Sequence, residues 1–158
     1  MRNARSARSQ RSREGFAVEA TIALRLPRDA ASVPVIRQTL DGTLRSLGVV
    51  PTIRDDIELM LSEACANVIK HAVPSDDYTV SAGVYNDRCV IRVIDTGAGF
   101  DPHQVREPAP GSEHGRGLQI MRALADDVRF THRRERGTIV SLEKRLRFVE
   151  VPAPTERP

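Results

Sequence analysis

The sequence predicts an α+β two-layer sandwich, in which helices pack on one face of a mixed, mostly antiparallel β-sheet. Hydrophobic patterns with the period of a strand and with the period of a helix alternate along the chain. Neighbouring strand-like segments are joined by turns short enough for hairpins. The chain has 158 residues, of which 40% are hydrophobic and 28% charged, as expected for one globular domain with tails.

The first half of the chain predicts one strand and two helices. Residues 16–26 alternate between apolar and polar side chains, as a half-buried strand does. A first helix is predicted from an N-cap at Ser32 to a stop at Gly48, because serine favours helix starts and glycine favours helix ends. A second, longer helix is predicted after an N-cap at Thr52. Its core-facing stripe is predicted to comprise Ile57, Leu61, Ala64, Val68 and Ala72.

The second half predicts four strands and one helix. Residues 78–86 and 88–95 are strand-like and meet near an Asn-Asp pair, so they predict a hairpin. A third helix is predicted over about residues 117–126. Two further strands, 128–133 and 137–146, are predicted to close the domain around a glycine-containing turn.

Positive charge is concentrated at the N-terminus. Residues 1–14 contain five arginines and one glutamate, whereas the rest of the chain has 19 basic and 20 acidic residues. This Arg-rich segment has no hydrophobic periodicity, so we expect a disordered tail, with a nucleic-acid-binding arm as the alternative. Residues 150–158 contain three prolines and predict a second disordered tail. The folded domain is therefore expected to span residues 15–149.

Composition argues against several classes of protein. Tryptophan is absent and aromatic residues make up only 4%, so stacking platforms for single-stranded nucleic acid are not expected. The sequence has neither a membrane-spanning apolar run nor a secretory signal. Cys65 and Cys89 lie in apolar segments at a spacing typical of neither a metal site nor a disulfide framework. Reduced thiols and a cytoplasmic location are the expectation.

One segment, Val-Ile-Asp-Thr-Gly-Ala-Gly-Phe at 93–100, places the carboxylate of Asp95 at the end of an apolar strand and before two glycines. Asp-Thr-Gly also occurs in aspartic proteases, where two aspartates share a proton. That interpretation requires a second aspartate in an almost wholly β protein, whereas this chain has one such motif and three predicted helices. The long loop predicted over 97–114 is of the kind that forms lids or binding loops.

The second predicted helix contains Glu63 and Asn67, which are four residues apart and so share one helix face. The amide oxygen of an asparagine can bind Mg²⁺, and a carboxylate can accept the proton of an attacking hydroxyl. A solvent-facing polar pair on an amphipathic helix explains the same spacing.

Glycines precede the third helix and the last strand. Gly115 and Gly117 lie where backbone N–H groups and a helix N-terminus can bind phosphate oxygens, although a flexible helix entry has the same pattern. Gly137 and Thr138 open the last strand, which by itself is ordinary hairpin chemistry.

Together and in this order, the four motifs resemble those of the GHKL ATP-binding superfamily, named for gyrase, heat-shock chaperone, histidine kinase and a mismatch-repair ATPase. The resemblance covers residues 16–146 and implies ATP and Mg²⁺ as cofactors. It implies that Asp95 accepts a hydrogen bond from the adenine amine, and that Gly97 and Gly99 allow the backbone to approach the nucleotide. Thr138 would help to bind adenine.

The same resemblance assigns the phosphate end of the site. Asn67 would be the Mg²⁺ ligand. The residues placed around the phosphates, as part of the lid and its helix, are Gly115, Arg116, Gly117 and Leu118.

The spacing of Leu-Ser-Glu-Ala-Cys-Ala-Asn, Val-Ile-Asp-Thr-Gly-Ala-Gly-Phe and Gly-Arg-Gly-Leu-Gln-Ile-Met resembles that of the bacterial anti-sigma factor serine kinases. No segment supplies the helical dimerisation domain with a phosphoacceptor histidine that a sensor histidine kinase needs. The resemblance implies that the protein sequesters a sigma factor and phosphorylates a serine of an anti-anti-sigma (STAS-domain) protein, with Glu63 as the catalytic base.

A homodimer is compatible with this resemblance, and no direct contact with nucleic acid or membrane is expected. The alternative is an ATP-binding regulator of the same fold that binds a protein partner without kinase activity.

Overall fold

The computed structural model describes residues 19–71, 76–95, 115–132 and 137–150. Within these ranges the chain forms five strands and three helices. In chain order they are β1 (Ala20–Pro27), α1 (Ser32–Ser46), α2 (Pro51–His71), β2 (Asp77–Tyr85), β3 (Arg88–Asp95), α3 (Arg116–Leu124), β4 (Asp127–His132) and β5 (Thr138–Arg145).

The five strands form one sheet in the order β1-β2-β3-β5-β4, and all four pairings are antiparallel. The predicted hairpin of β2 and β3 is confirmed. Its turn includes Asn86, which has a left-handed φ of 52°, a conformation that asparagine tolerates better than most residues. The last strand lies beside β3 rather than at the sheet edge, so β5 occupies the interior and β4 the edge.

The helices pack on one face of this sheet, as predicted. Strand residues at alternate positions point to that face and join the helices in a single hydrophobic core. The core stripe of α2 is confirmed at its described positions, while Ala72 lies outside the described residues. The buried residues of α2 are Ile53, Ile57, Met60, Leu61, Ala64, Cys65 and Val68.

Two helix starts differ from the prediction. The N-cap of α1 is Ala31, and Ser32 is already helical, because its hydroxyl is engaged in tertiary hydrogen bonding instead of capping the helix. The second helix begins at Pro51, one residue before the predicted cap at Thr52. Proline suits the first helical position, because its fixed φ matches the helix and its missing N–H is not needed there. The stop of α1 next to Gly48, with a φ of 82°, is confirmed.

The third helix ends at Leu124, two residues earlier than predicted, because the backbone N–H of Asp126 already bonds to Glu143 of β5 at 2.8 Å. Lys144 of β5 secures this end of the helix: its Nζ donates to the carbonyl oxygen of Leu124 and pairs with Asp56 of α2 at 2.9 Å. A cation at a helix C-terminus is favourable for the helix dipole. Through Lys144, the C-terminal end of α3 is also linked to α2.

Several predicted features fall outside the described residues: the tail 1–14, all but the first residue of the tail 150–158, and the loop 97–114. They stay predictions. Among the helices of the described ranges, none is both long enough and apolar enough to cross a membrane.

Candidate active site

Glu63 and Asn67 lie one turn apart on α2, and both side chains are half-buried. They face the start of α3: a Cβ placed on Gly117 would lie 2.7 Å from Glu63 Oε2 and 3.6 Å from Asn67 Oδ1. The carboxylate and the amide oxygen therefore converge on a backbone position that has no side chain of its own. The pair faces a neighbouring helix rather than open solvent.

The start of α3 is shaped by glycine. Gly115, its N-cap, has a φ of 91°, a conformation that glycine adopts without steric cost. No described side chain caps this helix, so its first backbone N–H groups have no side-chain acceptor in the described part of the chain. Arg116 is exposed, whereas Leu118 is buried in the core. The side chain of Leu118 therefore belongs to the hydrophobic core.

A second pair of polar side chains lies at the ends of two neighbouring strands. Asp95 is the last residue of β3 and Thr138 is the first residue of β5. Because Ile94 pairs with Ile139, the next step along these antiparallel strands brings Asp95 and Thr138 side by side. Both point to the helix-covered face, with only 3% and 1% of their surfaces exposed. A buried carboxylate favours hydrogen-bond donors, so this pair suits a ligand that presents N–H groups.

Two residues with no recognisable motif border this strand-end pair. His132 ends β4 opposite Thr138, with its Nδ1 3.4 Å from Thr138 Oγ1. Tyr78 of β2 is the cross-strand partner of Asp95 and is 2% exposed. The pairing of the strands places both residues beside the strand-end pair. The local sequence around them shows only ordinary strand alternation and does not mark them as site residues.

Tyr78 also connects the strand-end pair to α1. Its hydroxyl lies 2.7 Å from Ser32 Oγ in the first turn of α1. The strand-end pair is thus bordered by a buried tyrosine that is hydrogen-bonded to α1. Burial raises the pKa of the Cys65 thiol to about 12, so the thiol stays protonated at neutral pH and is not a nucleophile.

The structure brings together Glu63, Asn67 and Gly117, and separately Asp95 and Thr138. Gly97 and Gly99, which were predicted to contact the nucleotide, lie outside the described residues. The three helices of the described fold differ from the almost wholly β architecture that an aspartic protease requires.

Known proteins of similar sequence and fold show which family the chain belongs to. The family model of the histidine kinase-like ATPase domain matches residues 26–144. Serine-protein kinase RsbW of Bacillus cereus is 30% identical to this chain, over 82% of this chain and 88% of that protein. RsbW of Bacillus mycoides matches with the same identity and the same coverage.

A solved structure has the same fold. The crystal structure of the RsbU and RsbW domains of Rv1364c from Mycobacterium tuberculosis superposes with a TM-score of 0.64 at 23% identity. The match covers 83% of this chain and 35% of that longer chain. The family model covers most of the domain, and the similarity to RsbW covers most of both chains. The chain belongs to the histidine kinase-like ATPase domain family and, within it, to the anti-sigma factor serine kinases represented by RsbW.

Proposed function

We propose that this protein is an anti-sigma factor with ATP-dependent protein serine kinase activity. It sequesters a sigma factor and phosphorylates a serine of an anti-anti-sigma (STAS-domain) protein, and so regulates transcription in the cytoplasm. The convergence of Glu63 and Asn67 on the backbone of Gly117 is the observation that supports this most strongly. It combines a base, a hard-metal ligand and a helix start, which are the groups that phosphoryl transfer needs.

The described residues fit a nucleotide with its metal. Asn67 Oδ1 is the kind of oxygen ligand that Mg²⁺ prefers, and the missing side chain at Gly117 leaves space beside it. Bound Mg²⁺ would neutralise the charge on the β- and γ-phosphates. Asp95 would hold the exocyclic amine of adenine with help from Thr138, and the N–H groups at the start of α3 would bind phosphate oxygens. The exposed guanidinium of Arg116 lies at this helix start.

Glu63 would act on the protein substrate. When the partner's serine oxygen bonds to the γ-phosphorus and ADP leaves, the hydroxyl proton must be taken up. The Oε2 atom of Glu63 can accept this proton. That atom lies beside Gly117 in the first turn of α3, where the γ-phosphate is expected. Positioning contributes to catalysis in such reactions as well, so this carboxylate must both lie in the right place and be able to accept the proton.

The test is phosphate transfer from γ-labelled ATP to an anti-anti-sigma protein from the same organism, with the labelled residue mapped by mass spectrometry. We expect label on one serine of the partner and dependence on Mg²⁺. Binding of ATP and of a sigma factor without any labelled partner would instead favour the alternative, a regulator of the same fold that lacks kinase activity. A protein that binds no ATP would contradict both.

Gly117→Ala should slow transfer without unfolding the protein. The new Cβ would lie 2.7 Å from Glu63 Oε2, so the carboxylate must rotate away from its position. A misplacement of about 1 Å can cost roughly a hundredfold in rate, whereas alanine in a helix is more favourable than glycine by about 0.5–1 kcal/mol. Single-turnover transfer and thermal unfolding measure the two effects.

Gly42→Ala is the matched control for Gly117→Ala. Gly42 lies inside α1, and a Cβ placed there meets nothing within 4 Å. This substitution should leave transfer at the wild-type rate. If Gly117→Ala transfers phosphate as fast as Gly42→Ala does, the position of Glu63 against α3 is not required for the reaction.

A further inference from the structure

The C-terminal end of α3 is hydrogen-bonded to three consecutive residues of β5. The backbone N–H of Asp126 donates to the carbonyl oxygen of Glu143, and the backbone N–H of Arg145 donates to the carboxylate of Asp126. Between these two bonds, Lys144 Nζ donates to the carbonyl oxygen of Leu124, the last residue of α3. This end of the helix is therefore held on the sheet, whereas no described side chain caps its first turn.

Lys144 also links this end of α3 to α2. Val140, Leu142 and Lys144 are alternate residues of β5, so their side chains point to the helix-covered face of the sheet. The Lys144 side chain is only 13% exposed, and its ammonium pairs with the carboxylate of Asp56 on α2 at 2.9 Å. Burying a cation without partners is costly, and here one ammonium bonds to both helices at once.

The helices α2 and α3 face each other at a second place. Glu63 of α2 lies beside Gly117, which is seven residues before Leu124 on α3. Glu63 is likewise seven residues after Asp56 on α2. At the rise of an α-helix, both separations are about 10.5 Å. The two helices therefore lie side by side in opposite directions, with Lys144 at one end of their contact and the Glu63 carboxylate at the other.

We propose that Lys144 is a positioning residue that holds α3 against α2, and that it thereby sets the distance from the first turn of α3 to Glu63 and Asn67. This inference rests on the proposed binding of Mg-ATP. The phosphates would lie at the first turn of α3, while the metal ligand and the base are side chains of α2. A short helix moves as a rigid element, so a shift at its C-terminal end is carried to its first turn.

Lys144→Met keeps the aliphatic stem and removes the ammonium. We expect the Kd for Mg-ATP, measured by calorimetry on the full chain well below its Tm, to rise roughly two- to tenfold, the effect of one hydrogen bond. The single-turnover rate at saturating Mg-ATP should fall further, by roughly ten- to a hundredfold, because transfer is more sensitive than binding to a misplacement of about 1 Å. A residue that only stabilises the fold would change neither value at this temperature.

Arg54→Met is the matched control for Lys144→Met. The Arg54 side chain is 15% exposed and pairs with Asp41 at 2.6 Å, so it is a similarly buried cation that links α2 to α1 instead of α3. Its loss should lower the Tm and leave both the Kd for Mg-ATP and the rate of transfer at their wild-type values.

Asp56 provides an independent test if Lys144→Met does not fold. Asp56→Ala releases the ammonium from α2, and its partly exposed side chain can be lost without leaving a buried charge unpaired on α2. We expect its Kd and its rate to change in the same direction as those of Lys144→Met. Asp55→Ala is the control, because it removes an exposed carboxylate from the neighbouring position of the same helix and should match the wild type.

The double variant Lys144→Met/Asp56→Ala shows whether the two residues act as one link. Its Kd and rate should equal those of Lys144→Met alone, since the link is already broken. Additive losses, or wild-type values in folded Lys144→Met and Asp56→Ala, would overturn the inference. If the wild-type protein binds no Mg-ATP, the proposed function itself fails; if it binds Mg-ATP but transfers no phosphate, the Kd values alone decide the role of Lys144.

Discussion

Glu63→Gln will bind Mg-ATP and the sigma factor with nearly wild-type affinity, yet it will phosphorylate its partner about 10²- to 10⁴-fold more slowly. Glutamine keeps the size of the side chain beside Gly117 but cannot take up the proton of the serine hydroxyl. The variant should therefore behave as an inhibitor of transcription that its partner cannot switch off. Single-turnover transfer at saturating ATP separates this effect from any change in binding.

Glu58→Gln is the matched control for Glu63→Gln. It removes a carboxylate from the same helix, but Glu58 faces α1, where it accepts hydrogen bonds from Arg37 at 3.0 and 3.2 Å. Transfer by this variant should match the wild type. A wild-type rate for Glu63→Gln would mean that another group accepts the proton.

Asp95→Asn should weaken ATP binding by roughly ten- to a hundredfold, while the protein stays folded. The carboxylate is buried beside Thr138, and a hydrogen bond to a charged group in such a place contributes about 1.5–3 kcal/mol. Asparagine keeps the shape but replaces one acceptor oxygen with a donor, which faces the adenine amine unfavourably. Calorimetry with ATP gives the affinity, and circular dichroism checks the fold.

The control for Asp95→Asn is Asp127→Asn. Asp127 begins β4, and its partly exposed carboxylate bonds to Arg129 at 2.6 Å, away from the proposed site. Its loss should leave the affinity for ATP unchanged. Unchanged affinity in a folded Asp95→Asn variant would remove Asp95 from the adenine site.

Patterns that depend on one element could be predicted from the sequence. The stripe of α2 follows from helical spacing alone, and it is confirmed at Ile57, Leu61, Ala64 and Val68. The hairpin of β2 and β3 follows from strand alternation on both sides of a turn. The family resemblance added the roles of Glu63 and Asn67, which helical spacing alone leaves open.

Features that depend on two distant segments could not be predicted. Whether Glu63 and Asn67 face solvent or a protein surface is decided by α3, which packs on them from about fifty residues further along the chain. Ser32 was predicted as an N-cap because serine favours that position. Its hydroxyl instead pairs with Tyr78, 46 residues away, and the sequence around either residue does not show this.

The central claim is that one site, built from α2, α3 and the ends of β3 and β5, binds Mg-ATP. A crystal structure of the full chain with Mg²⁺ and a non-hydrolysable ATP analogue tests it most directly. We predict that the exocyclic amine of adenine hydrogen-bonds to Asp95, that Asn67 Oδ1 ligates Mg²⁺, and that the phosphates lie at the start of α3 beside Glu63. Adenine bound away from Asp95, or a metal without Asn67 among its ligands, would contradict the account.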